Sequence, residues 1–418
     1  MTCFSVSFAS AQVTVNAELK SIINQSFQYF SSIKEVENGV QSAKEKMQWS
    51  LLSKTPDINF NTAYNYIMPK ISFPINGNEI QFAPVHNINA SIGGGYTIVD
   101  FGRLKANIAK AKTDIQLAND QVDYAKCQLA NQVAAIFYNI IFYRKAIAIQ
   151  DSVIRFYLEN KRWVENRLKS GDMIQLDVLN LEASIGLEEN KKIDLINLLN
   201  KQLNLLVYTS GINTVNTNQF DFIGQSSPSS LSMAQTLNPV FFIQKDKTTL
   251  AQQELAIIKN NNKPKINLNA AAGFRNGFVP EVNTLRFNYL AGVSVAVPLY
   301  NFGKINQQLK LQQTFIQQQT LAETSLSEAF KKDLQQTEFD IQSNKERIEN
   351  IKGQVVATKM AQDITSTRYH NGVATYLDLI AAATNVQKIA LTQLQYEYQL
   401  CIAKIEHVKL LGIHYWNN

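Results

Sequence analysis

Few residues in this chain have the types and spacing for chemistry of their own. The four histidines, His86, His370, His407 and His414, show no metal-ligand spacing with cysteine or acidic residues. The turn-like His370 is expected to be solvated. Gly93-Gly94-Gly95 does not precede a helix as a phosphate-cradling loop would, and it predicts a kink or a close strand contact. No Ser/His/Asp or Cys/His arrangement has a local signature. We therefore expect no catalytic residue, no metal site and no cofactor. What remains is electrostatic. Asp177 and Asp378 each lie six residues after a glycine, Gly171 and Gly372, which in turn follow Arg167 and Arg368. In Thr375-Tyr376-Leu377-Asp378 the threonine and aspartate form a capping-box-like pair. The matching stretch has Ile174 in place of that threonine. Its aspartate persists without a capping partner, which favours a role beyond capping.

These residues belong to a repeat. Arg167-Leu168-Lys169-Ser170-Gly171 and Leu176-Asp177-Val178-Leu179 return 201 residues later as Arg368-Tyr369-His370-Asn371-Gly372 and Leu377-Asp378-Leu379-Ile380. Upstream, Asp100-Phe101-Gly102-Arg103 returns at the same offset as Asn301-Phe302-Gly303-Lys304. The copies are too widely spaced for solenoid or propeller units. This is a tandem duplication of a long, rigid element. The expected division is residues 12–212 for the first copy, 213–230 for a linker or equatorial segment, and 231–418 for the second copy.

The 418 residues carry a net charge of +6, with basic and acidic residues alternating along the helical stretches, which argues against nucleic-acid binding. No run of 18 apolar residues exists, so no transmembrane helix is expected. Residues 1–11 resemble the end of a secretory signal. Phe4, Val6 and Phe8 lead into Ala9-Ser10-Ala11, although the first lysine is Lys20. On helices running from the Gly171 and Gly372 turns, Cys127 and Cys401 would sit ~65 Å and ~45 Å from that end. They should be unpaired, buried thiols.

All nine prolines fall within 56–84 and 228–298, leaving two long windows open to helix. Leu311, Phe315, Leu326, Phe330, Leu334, Ile341 and Ile348 recur mostly at sums of three and four, a coiled-coil-like spacing. Helices are expected from Gly102 to about Lys169 and from Gly303 to about His370. Second helices follow at roughly 174–208 and 375–411, making two antiparallel hairpins with tips at Gly171 and Gly372. Shorter single helices, roughly 17–52 and 231–261, open the two copies. Asp100 and Asn301 are suited to cap the long helices, and Gly102 and Gly303 to ease the bend into them.

Between the opening and long helices the period changes to two. Ile58-Phe60-Thr62-Tyr64-Tyr66, Ile88-Ala90-Ile92-Tyr96-Ile98, Ile266-Leu268-Ala270-Ala272-Phe274 and Phe287-Tyr289-Ala291-Val293-Val295-Val297 line one face against asparagine and serine. Such ten-residue alternation is the signature of a transmembrane β-strand. Four strands cannot close a barrel, and an open edge in lipid is forbidden, so several chains must contribute. The fold class is therefore mainly α, with long helical hairpins and a membrane β part. A soluble, elongated coiled-coil scaffold with a small sheet is the alternative.

Taken together, the four strands, two hairpins and duplication resemble the TolC family of outer-membrane efflux proteins of Gram-negative bacteria, over about residues 17–412. The corner motifs at Asp100-Phe101-Gly102 and Asn301-Phe302-Gly303 and the paired tips carry the resemblance. It implies a homotrimer closing a twelve-strand barrel in the outer membrane, continued by a helical barrel into the periplasm. It implies a conduit and no enzyme. A periplasmic adaptor and an inner-membrane pump would supply energy and choice of cargo. By that resemblance Arg167, Leu168, Gly171, Arg368, Tyr369 and Gly372 would meet the adaptor. Asp378, with Asp177 and Tyr369, would form the pore gate, although Ala381 stands where some members have a second aspartate. Drug, metal and protein exporters share this architecture, so the cargo is not legible here.

Overall fold

The computed structural model describes residues 15–75, 78–222 and 231–417. The expected signal, 1–11, and residues 223–230 of the expected linker lie outside the described residues. The chain forms two compact units, and each takes residues from both sequence copies. One takes the described residues within Met1–Glu37, Asp120–Phe242 and Glu323–Asn418, and the other those within Asn38–Asn119 and Ile243–Ala322.

The proline-free windows become helix. Helix α3 spans Arg103–Lys169 and α7 spans Lys304–His370, each 67 residues. Helix α4, Gln175–Ser210, and α8, Tyr376–Leu411, have 36 residues each. The 201-residue offset is therefore kept at both ends of both pairs. No described helix is long and apolar enough to cross a membrane.

The opening helices are each broken, contrary to expectation. The first is divided into α1, Ala17–Tyr29, and α2, Ser31–Leu52. At the break Phe30 is extended and packs edge-on against Tyr208, with ring centroids 5.3 Å apart. The second is divided at Asn238 into α5, Leu231–Leu237, and α6, Pro239–Asn261. Pro239 suits a first helical position because it has no N–H to satisfy there. Asn238 accepts from the Val240 amide at 3.0 Å and donates to the carbonyls of Lys409 and Leu410 at 3.1 and 3.0 Å. The break thus ties down the end of α8.

The main core of the larger unit wraps the middle of α3. Ala130, Val133, Phe137, Tyr138, Ile140 and Ile141 are all fully buried against α1, the ends of α4 and α8, and the 212–222 segment. A helix buried on most sides must be apolar on most sides, as this stretch is. The duplicate stretch of α7 behaves differently. Phe339, which matches Tyr138 at the repeat offset, is 75% exposed. Cys127 and Cys401 are free, buried thiols in the α3 core, and burial pushes the Cys127 thiol up to about 12.

The smaller unit carries the four-stranded antiparallel sheet. Strands β1 (Asp57–Tyr66), β4 (His86–Val99), β5 (Lys265–Arg275) and β6 (Arg286–Ala296) lie in the order β1-β4-β5-β6. The polar connection after Pro69 contains an unexpected antiparallel ribbon of β2 (Ser72–Ile75) and β3 (Asn78–Gln81), with Phe73 of β2 edge-on to Phe82. In the main sheet Ile58 pairs with Gly94, Gly94 with Ala270, and Ala270 with Ala291. Gly94 is required there, since a Cβ would come within 2.2 Å of the Asp57 carbonyl oxygen. The face bearing Ile58, Phe60, Tyr289 and Val293 is bare, with these four residues 63–81% exposed.

Candidate functional site at the paired hairpin tips

Both tips are made by the same backbone device. Gly171 and Gly372 adopt φ of +82° and +72° after the last helical residue, the left-handed position that glycine occupies without strain. In the first tip Asp172 N donates to the Arg167 carbonyl at 3.0 Å, and in the second Val373 N donates to that of Arg368 at 2.8 Å. The chain reverses and restarts as α4 or α8.

The two tips pack on each other within the larger unit. Val164 of α3, Val178 and Leu181 of α4, Tyr369 of α7 and Leu379 of α8 form one buried cluster, with Leu168 against its edge. Trp163 organises the adjoining surface. His370 stacks on it at 4.4 Å, Tyr369 lies at 5.7 Å, and the Arg167 guanidinium sits over its ring at 5.5 Å. The His370 Nε2 atom also meets Asn160 Oδ1 at 3.1 Å, and burial lowers the imidazole pKa. His370 is therefore a packed, paired residue and not the solvated one expected, because Trp163 of the neighbouring hairpin covers its ring.

The charged residues divide by copy. Arg167 pairs with Asp172 at 3.0 Å, and Arg167 and Ser170 together hold that carboxyl below its usual range. The second copy has Val373 in place of Asp172. There the Thr375 amide and hydroxyl reach Asp378 Oδ2 at 2.8 and 2.7 Å, and the Asp378 amide returns a bond to Thr375 Oγ1 at 3.2 Å. This is a complete capping box. The Thr375 bonds lower the Asp378 pKa, with the Arg368 charge adding to the effect. Asp177 has no such partner, since Ile174 offers no side-chain cap. Its carboxylate acts instead on Tyr369 of the other hairpin. Burial first, and then Asp177 and Tyr376, push the Tyr369 phenol up to about 12.

Residues invisible to motif reading complete the site. Tyr376 Oη donates to the Asn180 carbonyl at 2.9 Å and meets Ser184 Oγ at 2.6 Å, locking the start of α8 to α4. Farther from the turns is a buried polar layer. Gln150 of α3 and Gln387 of α8 donate to Glu188 Oε2 of α4 at 2.6 and 2.8 Å, Gln387 donates to Gln150 Oε1 at 2.8 Å, and Lys191 reaches Glu188 Oε1 at 2.7 Å. Polar residues at otherwise apolar helical positions are the only signal the sequence offers for this layer. Around the turns Ile174, Leu176, Val373 and Leu377 are 56–73% exposed. The tips therefore offer apolar surface beside Arg167 and Arg368.

At the strand-to-helix corners the copies share geometry but not capping. Phe101 and Gly102 have φ of +50° and +94°, and Phe302 and Gly303 have +49° and +80°. Asp100 caps α3, accepting from the Gly102 and Leu104 amides at 3.1 and 2.6 Å. Asn301 differs from expectation: its side-chain amide turns to Asn262 Oδ1 at 3.3 Å, and only its backbone carbonyl receives Lys304 N. An amide has one acceptor oxygen where the carboxylate has two, so it serves the double cap less well. Among the described residues no group of three histidine, cysteine or acidic side chains could hold a metal.

No curated protein matches this chain by sequence. Solved structures do match it by fold. The outer membrane protein VceC of Vibrio cholerae superposes with a TM-score of 0.77 at 14% identity, over 96% of this chain and 97% of that one. The Campylobacter jejuni CmeC outer membrane channel gives 0.79 at 13% identity, over 96% and 89%. The open state of the Neisseria gonorrhoeae MtrE outer membrane channel gives 0.79 at 15% identity, over 99% and 94%. Residues 249–413 match the family model of the outer membrane efflux proteins, so the second copy bears that family's sequence pattern within a chain that has these channels' fold throughout.

Proposed function

We propose that the protein is the outer-membrane exit duct of a tripartite efflux or type I secretion system, working as a homotrimer and opened at its periplasmic tips by an adaptor. The sheet carries the argument. Strands β1 and β6 are both edges and run in opposite directions, and the apolar face between them is bare. Hydrocarbon accepts such a face but not unpaired edges. β6 of one copy laid antiparallel on β1 of the next removes both edges, and three copies make a twelve-strand barrel. The helices support the same assembly. Phe339, Val356 and Met360 of α7 and Leu187 and Ile193 of α4 are 60–75% exposed. These are two different surfaces, suited to a head-to-tail ring.

In this reading each sequence copy is a structural repeat, 12–212 and 231–418, joined through 213–230. The chain lies in the outer membrane and extends into the periplasm, linked by the adaptor to an inner-membrane pump. Arg167, Leu168, Gly171, Arg368, Tyr369 and Gly372 form the docking tip. Asp378, with Asp177 and Tyr369, lines the periplasmic constriction, where three copies set a carboxylate ring that favours cations. Exposure of Asp378 and the action of the Asp177 charge on the Tyr369 phenol support that assignment. The test is conductance in planar bilayers, comparing wild type with Asp378→Ala. A wider or less cation-selective pore is expected. Unchanged conductance and selectivity would remove Asp378 from the gate, and recovery of the protein as a soluble monomer would sink the channel reading.

A further inference from the structure

The face of the sheet opposite the bare one gathers positive charge at one end. On the bare face Phe274 and Phe287 lie edge-on at 5.6 Å and are 54% and 62% exposed. Side chains alternate between faces along a strand. Arg275 and Arg286, each next to one of these phenylalanines, therefore share the opposite face. They are also direct cross-strand partners, since β5 and β6 pair Arg275 with Arg286. From there to Lys265, at the other end of β5, that face of the two strands holds no charged residue.

Like charges set directly opposite each other on a sheet repel, and little here relieves them. Arg286 Nη2 reaches Glu281 Oε2 at 3.1 Å, but the two side chains are 41% and 67% exposed, and water weakens such a pair. Arg275 has no ion pair among the described residues; its guanidinium lies over the Phe278 ring at 5.3 Å. The arginine pair is left one negative charge short. Asn288, two residues along β6 and so on the same face, has a buried side-chain nitrogen without a hydrogen-bond partner. The backbone fixes this end of the sheet. Asn276 is 3% exposed, donates to the His86 carbonyl at 2.5 Å and accepts from the Ile88 amide at 2.8 Å, tying the end of β5 to β4. Only the arginine side chains, and not their Cα atoms, are free to move apart.

We propose that Arg275 and Arg286 form an oxyanion-binding site, taking a phosphate, sulfate or carboxylate group of a solute between their guanidinium forks. The inference rests on the membrane reading. There the bare face meets lipid, so the arginine face lines the pore. The arginines lie at the end of the strands away from the helices, where the barrel opens to the exterior. Three copies set a cationic ring at the exit, opposite in sign to the carboxylate ring at the tips. Glu281 is the built-in competitor, since an anion bridging both arginines displaces it.

The test records conductance of the full-length protein in planar bilayers at about 0.1 M salt, with inositol hexakisphosphate added to one side and then the other. Block from one side only is expected, and it should fade as salt is raised. Arg275→Gln and Arg286→Gln should each weaken it about fivefold, the effect of one charge at ~5 Å in water, and Glu281→Gln should strengthen it by a similar factor. Lys265→Gln removes a cation from the same face ~33 Å away, beyond the Debye length of ~10 Å, and should leave the block unchanged. Undiminished block in the double arginine variant, or block that follows Lys265, would overturn the site. Calorimetry of the same polyanion with detergent-purified protein gives a second reading, in which equal binding by wild type and the double variant would also overturn it. A conducting wild type without one-sided block refutes the arginine site alone, whereas a wild type that neither trimerises nor conducts refutes the membrane reading beneath it.

Discussion

The buried polar layer above the tips makes a quantitative claim. Glu188 is 6% exposed, Gln150 2% and Gln387 5%, so little solvent is available to replace a lost partner. Glu188→Ala removes a charged acceptor from two buried amides. Gln150 keeps the backbone carbonyl of residue 188 at 2.8 Å, and Gln387 keeps Gln150 Oε1 at 2.8 Å, so neither is left wholly unpaired. Lys191 is largely exposed and adds little. With hydrogen bonds to a charged group contributing ~1.5–3 kcal/mol each, the local loss is about 3 kcal/mol, or about a hundredfold in the opening equilibrium. Amide hydrogen exchange of the purified protein reads this directly. Peptides around 150, 188 and 387 should exchange about a hundredfold faster, while β5 stays unchanged. Acceleration below about threefold would refute the claim that the layer holds these helices together.

The same layer predicts a pH response. Burial works against ionisation of Glu188, but the bonds from Lys191, Gln150 and Gln387 outweigh it and hold the carboxyl below its ordinary 4.5. A depressed folded pKa means that the stabilisation is complete above the unfolded value and disappears as pH falls through the folded one. Wild type and Glu188→Ala should therefore keep a constant separation from pH 7 to about 5 and converge only below the ordinary glutamate range. Convergence near neutral pH would show that the carboxylate is not the stabilising form.

Three further outcomes are expected. Gly94→Val drives a side chain into the Asp57 carbonyl, and should reduce slow-migrating trimers on unboiled gels severalfold; normal trimer yield would mean that the β1–β4 register is wrong. Valine at both Gly171 and Gly372 costs ~1–2 kcal/mol per left-handed residue, and should abolish pump-dependent resistance while trimers persist; undiminished resistance would remove the tips as the docking site. Thr375→Ala removes one half of the capping box at the start of α8 and should cost about 1 kcal/mol there, read as faster exchange confined to residues 376–380, and exchange identical to wild type would show that the box is dispensable.

Much of the architecture was legible because the sequence states it twice. Helix borders at 103, 169, 304 and 370 follow from proline exclusion and the glycine motifs, and the four strands of the main sheet follow from period-two alternation. What local pattern could not supply was contact between elements. The breaks at Phe30 and Asn238 depend on Tyr208 and on the α8 carbonyls, both distant in sequence. The packing of His370 is hidden for the same reason, since it depends on Trp163 of the other hairpin, whose counterpart in the second copy is Ile364. The repeat also concealed a difference. Tyr138 and Phe339 are equivalent by offset, yet one is fully buried and the other bare. Duplication predicts equal helices, but their surroundings decide which residues are buried and which stay bare.

The two unlike edges of the sheet have a consequence for inheritance as well as for assembly. In the proposed head-to-tail ring each junction would take β6 from one chain and β1 from its neighbour, so a chain damaged at only one edge could still join through the other. It enters the ring and prevents its closure. If half the chains in a cell carried such a lesion, only about one three-chain ring in eight would be free of it. Edge mutations should therefore poison a wild-type copy expressed beside them, whereas lesions that prevent folding altogether should be silent in the same mixture.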